Sequence, residues 1–231
     1  MANERQAFPS VLDTRFYEVA KPASFGERAL ILARDRIYAD FMAMCSPTAE
    51  DTILDIGVSD VLTDGANLLE RLYPRPEKIS ACGLGEAKEF QTAFPQIRYL
   101  QLAPAEALPY TDKEFDIAAS NAVLEHVGNR EKQTHFISEM VRVARQVFIT
   151  VPNRFFPIEH HTALPLAHWT DSSFRLACAL TGKHKWTQEE ELTLMSKRLL
   201  SSLVPEGKSY RVGYTGLSLG PFSSNLYLTI C

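Results

Sequence analysis

Apolar positions along this chain change their period several times, and each change predicts an element. Residues 26–44 place Leu30, Ile37, Phe41 and Met44 on one helical face. Residues 52–57 then form a short apolar run that closes on Asp55 and Gly57, as a buried strand does when its carboxyl end opens into a loop. A helical stretch with Leu68, Leu69 and Leu72 stops at Pro74. KISACG (78–83), RYLQL (98–102), EFDIAAS (114–120) and QVFITV (146–151) predict four more strands. Between them EAKEFQTAF (86–94) predicts a short helix, and residues 131–145 a longer one with Phe136, Met140 and Ala144 spaced by four. YRVGYTGLSLG and SSNLYLTIC then predict a terminal hairpin.

This alternation predicts an α/β fold: a doubly wound, mostly parallel sheet of about seven strands, closed by an antiparallel C-terminal hairpin. The strand at 52–57 is expected at its centre. Residues 154–203 read as helix and loop, with Thr187 and Glu190 spaced as a capping box. PNRFFPIEHHTALPL (152–166) reads as a loop over the carboxyl edge of the sheet, an insertion and not a boundary. The expected organisation is therefore one domain over 1–231, with an N-terminal helical segment (1–50) and a loop and helical insertion (152–205) over the site.

Composition narrows the classes. The 231 residues suffice for one large core. A net charge of -4 argues against a nucleic-acid partner, which calls for a basic face. The four cysteines are scattered and form no CxxC pair, which suits a reducing cytoplasm and predicts neither zinc site nor disulfide framework. No stretch reaches the length of a membrane span, and the first ten residues lack the apolar core of a signal peptide. The expectation is a cytoplasmic protein with a small-molecule substrate, no nucleic acid and no membrane; its oligomeric state is left open.

Ligands of open α/β sheets bind at the carboxyl ends of the strands, so the candidate chemistry lies there. Gly57 lets the backbone pass close to a ligand, and Asp55 either orders the loop or receives a ligand amine. Glu86, after the second strand, is a candidate acceptor for ribose hydroxyls; a solvated first-turn glutamate is the alternative. His126, His160 and His161 are candidate bases, because imidazole titrates near neutrality. His126 also reads as a structural residue in the turn after the fourth strand. Phe155, Phe156 and Trp169 line either a pocket or the underside of a lid. Glu159, His160 and His161 are adjacent, and adjacent residues rarely all face one ion, so no metal is expected.

The run AEALPYTDKEFD (105–116) followed by VLEHV (123–127) resembles the class I S-adenosylmethionine-dependent methyltransferases, in their small-molecule, type 11-like branch. The resemblance covers roughly residues 27–165 and implies a Rossmann-like methyltransferase fold with S-adenosylmethionine as cofactor. It implies that Asp55, Gly57, Val58 and Ser59 wrap the methionine part, Glu86 reaches the ribose, Ala105 and Glu106 pack on adenine, and Ser120 and Asn121 lie where the methyl group is presented. Ser59 and Val61 stand where the family has glycines, and Gly85 and Pro104 where it has acids. The implied function is methyl transfer to an oxygen or nitrogen of a small molecule. The alternative is a non-catalytic relative whose degenerate cofactor site leaves it a partner or regulatory subunit. A reductase is disfavoured because the first loop lacks GxGxxG and Tyr17-x-x-x-Lys21 precedes the first strand.

Overall fold

The computed structural model describes residues 25–62, 67–103 and 107–231, with side chains in the first helix from residue 30 onward. Pro104, Ala105, Glu106 and the Tyr17–Lys21 pattern lie outside the described residues. The elements run α1 (Phe25–Cys45), β1 (Ile53–Ile56), α2 (Leu68–Leu72), β2 (Ile79–Gly83), α3 (Lys88–Ala93), β3 (Arg98–Gln101), β4 (Phe115–Asn121), α4 (Arg130–Val143), β5 (Ala144–Pro152), α5 (Asp171–Thr181), α6 (Lys197–Ser201), β6 (Tyr210–Leu219) and β7 (Phe222–Ile230). They build a seven-stranded sheet in the order β3-β2-β1-β4-β5-β7-β6. The first five strands pair in parallel, and β7 runs antiparallel to both β5 and β6.

Strand periodicity makes the two layers. Along β1 and β4, Leu54, Ile56 and Ala118 face one side, where Ile137 and Met140 of α4 and Leu200 of α6 cover them. Ile53, Ile117 and Ala119 face the other side, under Ile37 and Phe41 of α1, Leu68 of α2 and Phe90 of α3. All four β1 residues are buried, as a central strand covered on both faces requires. Sheet and helices therefore follow the sequence pattern closely.

The described part of the run, residues 107–116, acquires a structural reason. Arg142 of α4 donates to Glu139 through Nε (2.9 Å) and Nη2 (2.8 Å), to the Tyr110 carbonyl (2.7 Å), to the Leu108 carbonyl (2.8 Å) and to Asp112 (3.1 Å). Glu139 in turn accepts from the Leu108 amide at 2.9 Å. This two-sided clasp pins the connection before β4 onto α4, with the charge-assisted bonds as its strongest part. Asp116 accepts from the Thr52 amide and hydroxyl, both at 3.0 Å, and from Arg145 at 2.6 Å, tying β4 to the entry of β1. Those bonds hold its carboxyl below the usual range. It sits at the amino edge of the sheet, away from any ligand.

One expectation fails. Thr187 and Glu190 form no capping box: His184–Thr187 is a single 3₁₀ turn, and the Thr187 hydroxyl donates to the His184 carbonyl. The chain stays irregular after it because Leu192 and Met195 must reach two different clusters of the core. The helices of this region begin instead at Thr170 and Ser196, whose side chains accept from the Ser173 and Leu199 amides. Asn129 caps α4 in the same way, accepting from the Lys132 amide.

Candidate functional site

With β2 on one side of β1 and β4 on the other, chain order reverses between β1 and β4. The carboxyl ends at that switch point are where such sheets bind ligands. Gly57 follows β1 with φ +96, donates its amide to the Cys82 carbonyl at 2.8 Å and turns the chain out of the sheet. A Cβ built on it would lie 2.2 Å from Cγ2 of Val123. The requirement for glycine is thus set first by the VLEHV segment, which packs under the β1 loop. The serine expected to replace a glycine is held inside the loop. Ser59 exchanges two backbone bonds with the Asn67 amide group, both 2.8 Å, and its hydroxyl accepts from the Val61 amide at 3.0 Å. Asp60 accepts from the Phe90 amide in the first turn of α3 (2.9 Å), fastening the loop to the next βα unit.

Beneath the loop lies a feature the sequence did not announce. Asp55 and Glu70 are both buried and face one another. As two carboxylates neither can donate, and the Glu70 oxygens have no donor elsewhere; with one proton between them the pair is hydrogen-bonded. Burial pushes Asp55 up to about 7, and burial with the neighbouring Asp55 charge raises Glu70 well above its ordinary value. Glu70 falls in the first turn of α2 and is buried there.

Glu86 stands three residues past the end of β2 at Gly83. It is exposed and pairs with Lys88 at 2.5 Å. At the end of β4, the Ser120 hydroxyl donates to the Ile56 carbonyl (2.9 Å), and Asn121 accepts from Thr150 of β5 (2.6 Å). Ser120 and Asn121 therefore knit the three central strands at the switch point. Val58, half-buried, borders the same opening.

Beyond β4, the turn Leu124–His126 meets the loop that follows β5. His126 contacts the Glu191 carbonyl through Nδ1 at 2.6 Å, and His161 contacts Glu159 through Nδ1 at 2.8 Å. Their Nε2 atoms stand 3.2 Å apart. Glu159 also accepts from the amides of His161 (3.0 Å) and Thr162 (2.6 Å) and from the Thr162 hydroxyl (2.7 Å). Burial alone would raise this carboxyl, but those donors and the neighbouring imidazole bring it well below the usual range. Burial, reinforced by His161, lowers His126 to about 4; burial lowers His160 to about 4 and raises Glu125 to about 7.

Of the three candidate histidines, then, two come together. His160 lies edge-on to Phe156, ring centroids 5.7 Å apart, outside the pair. The aromatics divide likewise: Phe156 is buried, Trp169 packs on Phe222 of the hairpin, and Phe155 is exposed under the Arg154 guanidinium. Sequence reasoning passed over Glu125 as a site residue, although the VLEHV motif contains it. Its burial at 1% exposure, with both carboxylate oxygens lacking a hydrogen-bond partner, is the signal.

Residues 79–147, from β2 into β5, match the family model described as "Methyltransferase domain". Among curated proteins none matches the chain. Solved structures share the fold at low identity. The N-methyltransferase NodS from Bradyrhizobium japonicum, in complex with S-adenosyl-L-homocysteine, superposes at TM-score 0.55 with 12% identity, over 85% of both chains. Magnesium protoporphyrin IX methyltransferase (ChlM) from Synechocystis, with the same product bound, gives 0.54 and 12%, over 94% of this chain and 91% of that one. A SAM-dependent methyltransferase from Thermotoga maritima, a possible histamine N-methyltransferase, gives 0.53 and 15%, over 88% and 93%. Residues 79–147 thus match a methyltransferase-domain model, and the seven-stranded sheet around them has the fold of these solved methyltransferases.

Proposed function

We propose that the chain transfers a methyl group from S-adenosylmethionine to an oxygen or nitrogen of a small molecule. The observation that carries this reading is the match over residues 79–147 together with a strand order that brings the β1 loop, Ser120 and Asn121 to one switch point. The net charge of -4 supports a small acceptor over nucleic acid. Residues 1–231 are read as a single methyltransferase-like domain, with 152–205 covering the site. The four scattered cysteines, with no CxxC pair among them, suit a reducing compartment such as the cytoplasm. Among the described residues no helix is long and apolar enough to cross a membrane.

The residues present fit this cofactor at its methionine end. Gly57 turns the chain in the left-handed region and leaves Val58 and Ser59 at the strand ends, braced by Asn67 and Asp60. Glu86, exposed beyond β2, is the carboxylate within that loop for the ribose hydroxyls. Ala105 and Glu106 are assigned to the adenine by the resemblance alone. When bound, the cofactor supplies a sulfonium-activated methyl group. The chain's own part is to align the acceptor, exclude water and receive the acceptor's proton. His126, His161 and His160 are the candidates for that proton; burial keeps His126 neutral near pH 7 and, by lowering it to about 4, makes it a weak base.

Incubation with radiolabelled S-adenosylmethionine and a panel of small hydroxyl and amine compounds tests the reading. Label should pass to at least one small acceptor, with stoichiometric S-adenosylhomocysteine. Transfer to nucleic acid alone would contradict it.

A further inference from the structure

We propose that Glu125, His126 and His161 form a binding site for one divalent transition-metal cation, with zinc the preferred ion. One ligand atom from each, a carboxylate oxygen and two imidazole nitrogens, lies within 4.8 Å of the others. The two Nε2 atoms are 3.2 Å apart. Two imidazoles on a tetrahedral zinc, at Zn–N distances of about 2.0–2.1 Å, hold their nitrogens about 3.3 Å apart. The spacing fits two corners of that tetrahedron.

Ring orientation supports the same assignment. The Glu191 carbonyl can only accept, so the hydrogen of a neutral His126 sits on Nδ1 and a lone pair remains on Nε2. Glu159, already accepting from two amides and a hydroxyl, holds the His161 hydrogen on Nδ1 in the same way. In these tautomers each Nε2 carries the lone pair with which a neutral imidazole ligates a metal. The carboxylate–histidine pair and the carbonyl–histidine pair are the outer-sphere partners that metal-ligating imidazoles use. Glu125 supplies the missing charge: buried, one residue before His126, and with neither oxygen hydrogen-bonded. Trp186, its ring centroid 5.1 Å from that of His161, backs the site.

Three protein ligands of the His₂Glu kind leave a fourth position open. Glu125 and His161 also line a small cavity with Asn153, Arg154, His168 and Met195, whose volume of about 10 Å³ is that of a single water, enough to complete the sphere. Two imidazoles favour zinc and its transition-metal neighbours over magnesium or calcium. The assignment rests on geometry; an ion bound there would occupy the Nε2 lone pairs of His126 and His161 and leave His160 as the remaining candidate base.

The full chain, stripped with chelator, should bind about one Zn²⁺ by titration calorimetry and melt at a higher temperature as Zn²⁺ is added. Co²⁺ in its place should show the intense visible absorption of a tetrahedral site. Glu125→Gln and His161→Ala should lose stoichiometric binding, and Glu159→Gln should weaken it by about 10–100-fold. The surface variant His135→Ala should bind as the parent does. The proposal is overturned if the chain binds no Zn²⁺, if Mg²⁺ is preferred, or if parent, Glu125→Gln and His161→Ala bind alike. Should His161→Ala fail to fold, the near-isosteric Glu125→Gln decides the matter.

Discussion

Gly57→Val should lose much of its folding stability, and with it the β1 loop on which a cofactor depends. At φ +96 a β-branched residue is strained, at a cost of about 1–3 kcal/mol. Even its Cβ would stand 2.2 Å from Cγ2 of Val123, and forcing extra atoms into a packed site costs about 1–3 kcal/mol more. Against a total of about 5–15 kcal/mol, that loss is large. The two contributions can be separated. Gly57→Ala should be destabilised in urea, and adding Val123→Ala should relieve the clash while leaving the backbone strain, so the pair should be coupled in a double-mutant cycle. Equal stability of Gly57→Val and the parent would mean that the loop and the VLEHV segment do not meet as described.

Stability should also fall as pH rises from about 4 to 7 through the Asp55–Glu70 pair. Both carboxyls are raised by burial, so the folded protein holds a proton that the unfolded chain releases near the ordinary carboxylate value. Their contribution is therefore fully present below that value and is lost as pH climbs toward about 7, by at most about 1.4 kcal/mol per pH unit for each retained proton. Cys82 on β2, whose thiol burial pushes up to about 12, stays neutral throughout. Glu70→Gln removes one acid and offers Asp55 an amide donor. Urea unfolding at pH 5, 6, 7 and 8 should show the variant gaining on the parent steadily as pH rises. Parallel curves would place the shared proton elsewhere.

The fold was legible because it is written in periodicity. Apolar residues at 52–57 and 114–120 face helices on both sides of the sheet, and only a central parallel strand needs that. The site was less legible, since its geometry depends on residues far apart in sequence. Asp55 meets Glu70 across a loop, Gly57 is fixed by Val123, and His126 faces His161 from a different strand end. Local pattern misled at Thr187, where a capping spacing lost to the demand that Leu192 and Met195 be buried. Asp116, a residue of the matched run, is a joint of the scaffold through its bonds to Thr52 and Arg145. Motif matches recorded a resemblance without distinguishing residues that hold the sheet from those at the strand ends.

Whether the strand ends hold the cofactor can be measured by titration calorimetry of the full chain with S-adenosylhomocysteine, which needs no knowledge of the acceptor. One binding event per chain is expected, with a micromolar dissociation constant, about -8 kcal/mol, and weaker binding once Gly57 is replaced. No binding of S-adenosylhomocysteine or S-adenosylmethionine at millimolar concentration would contradict it.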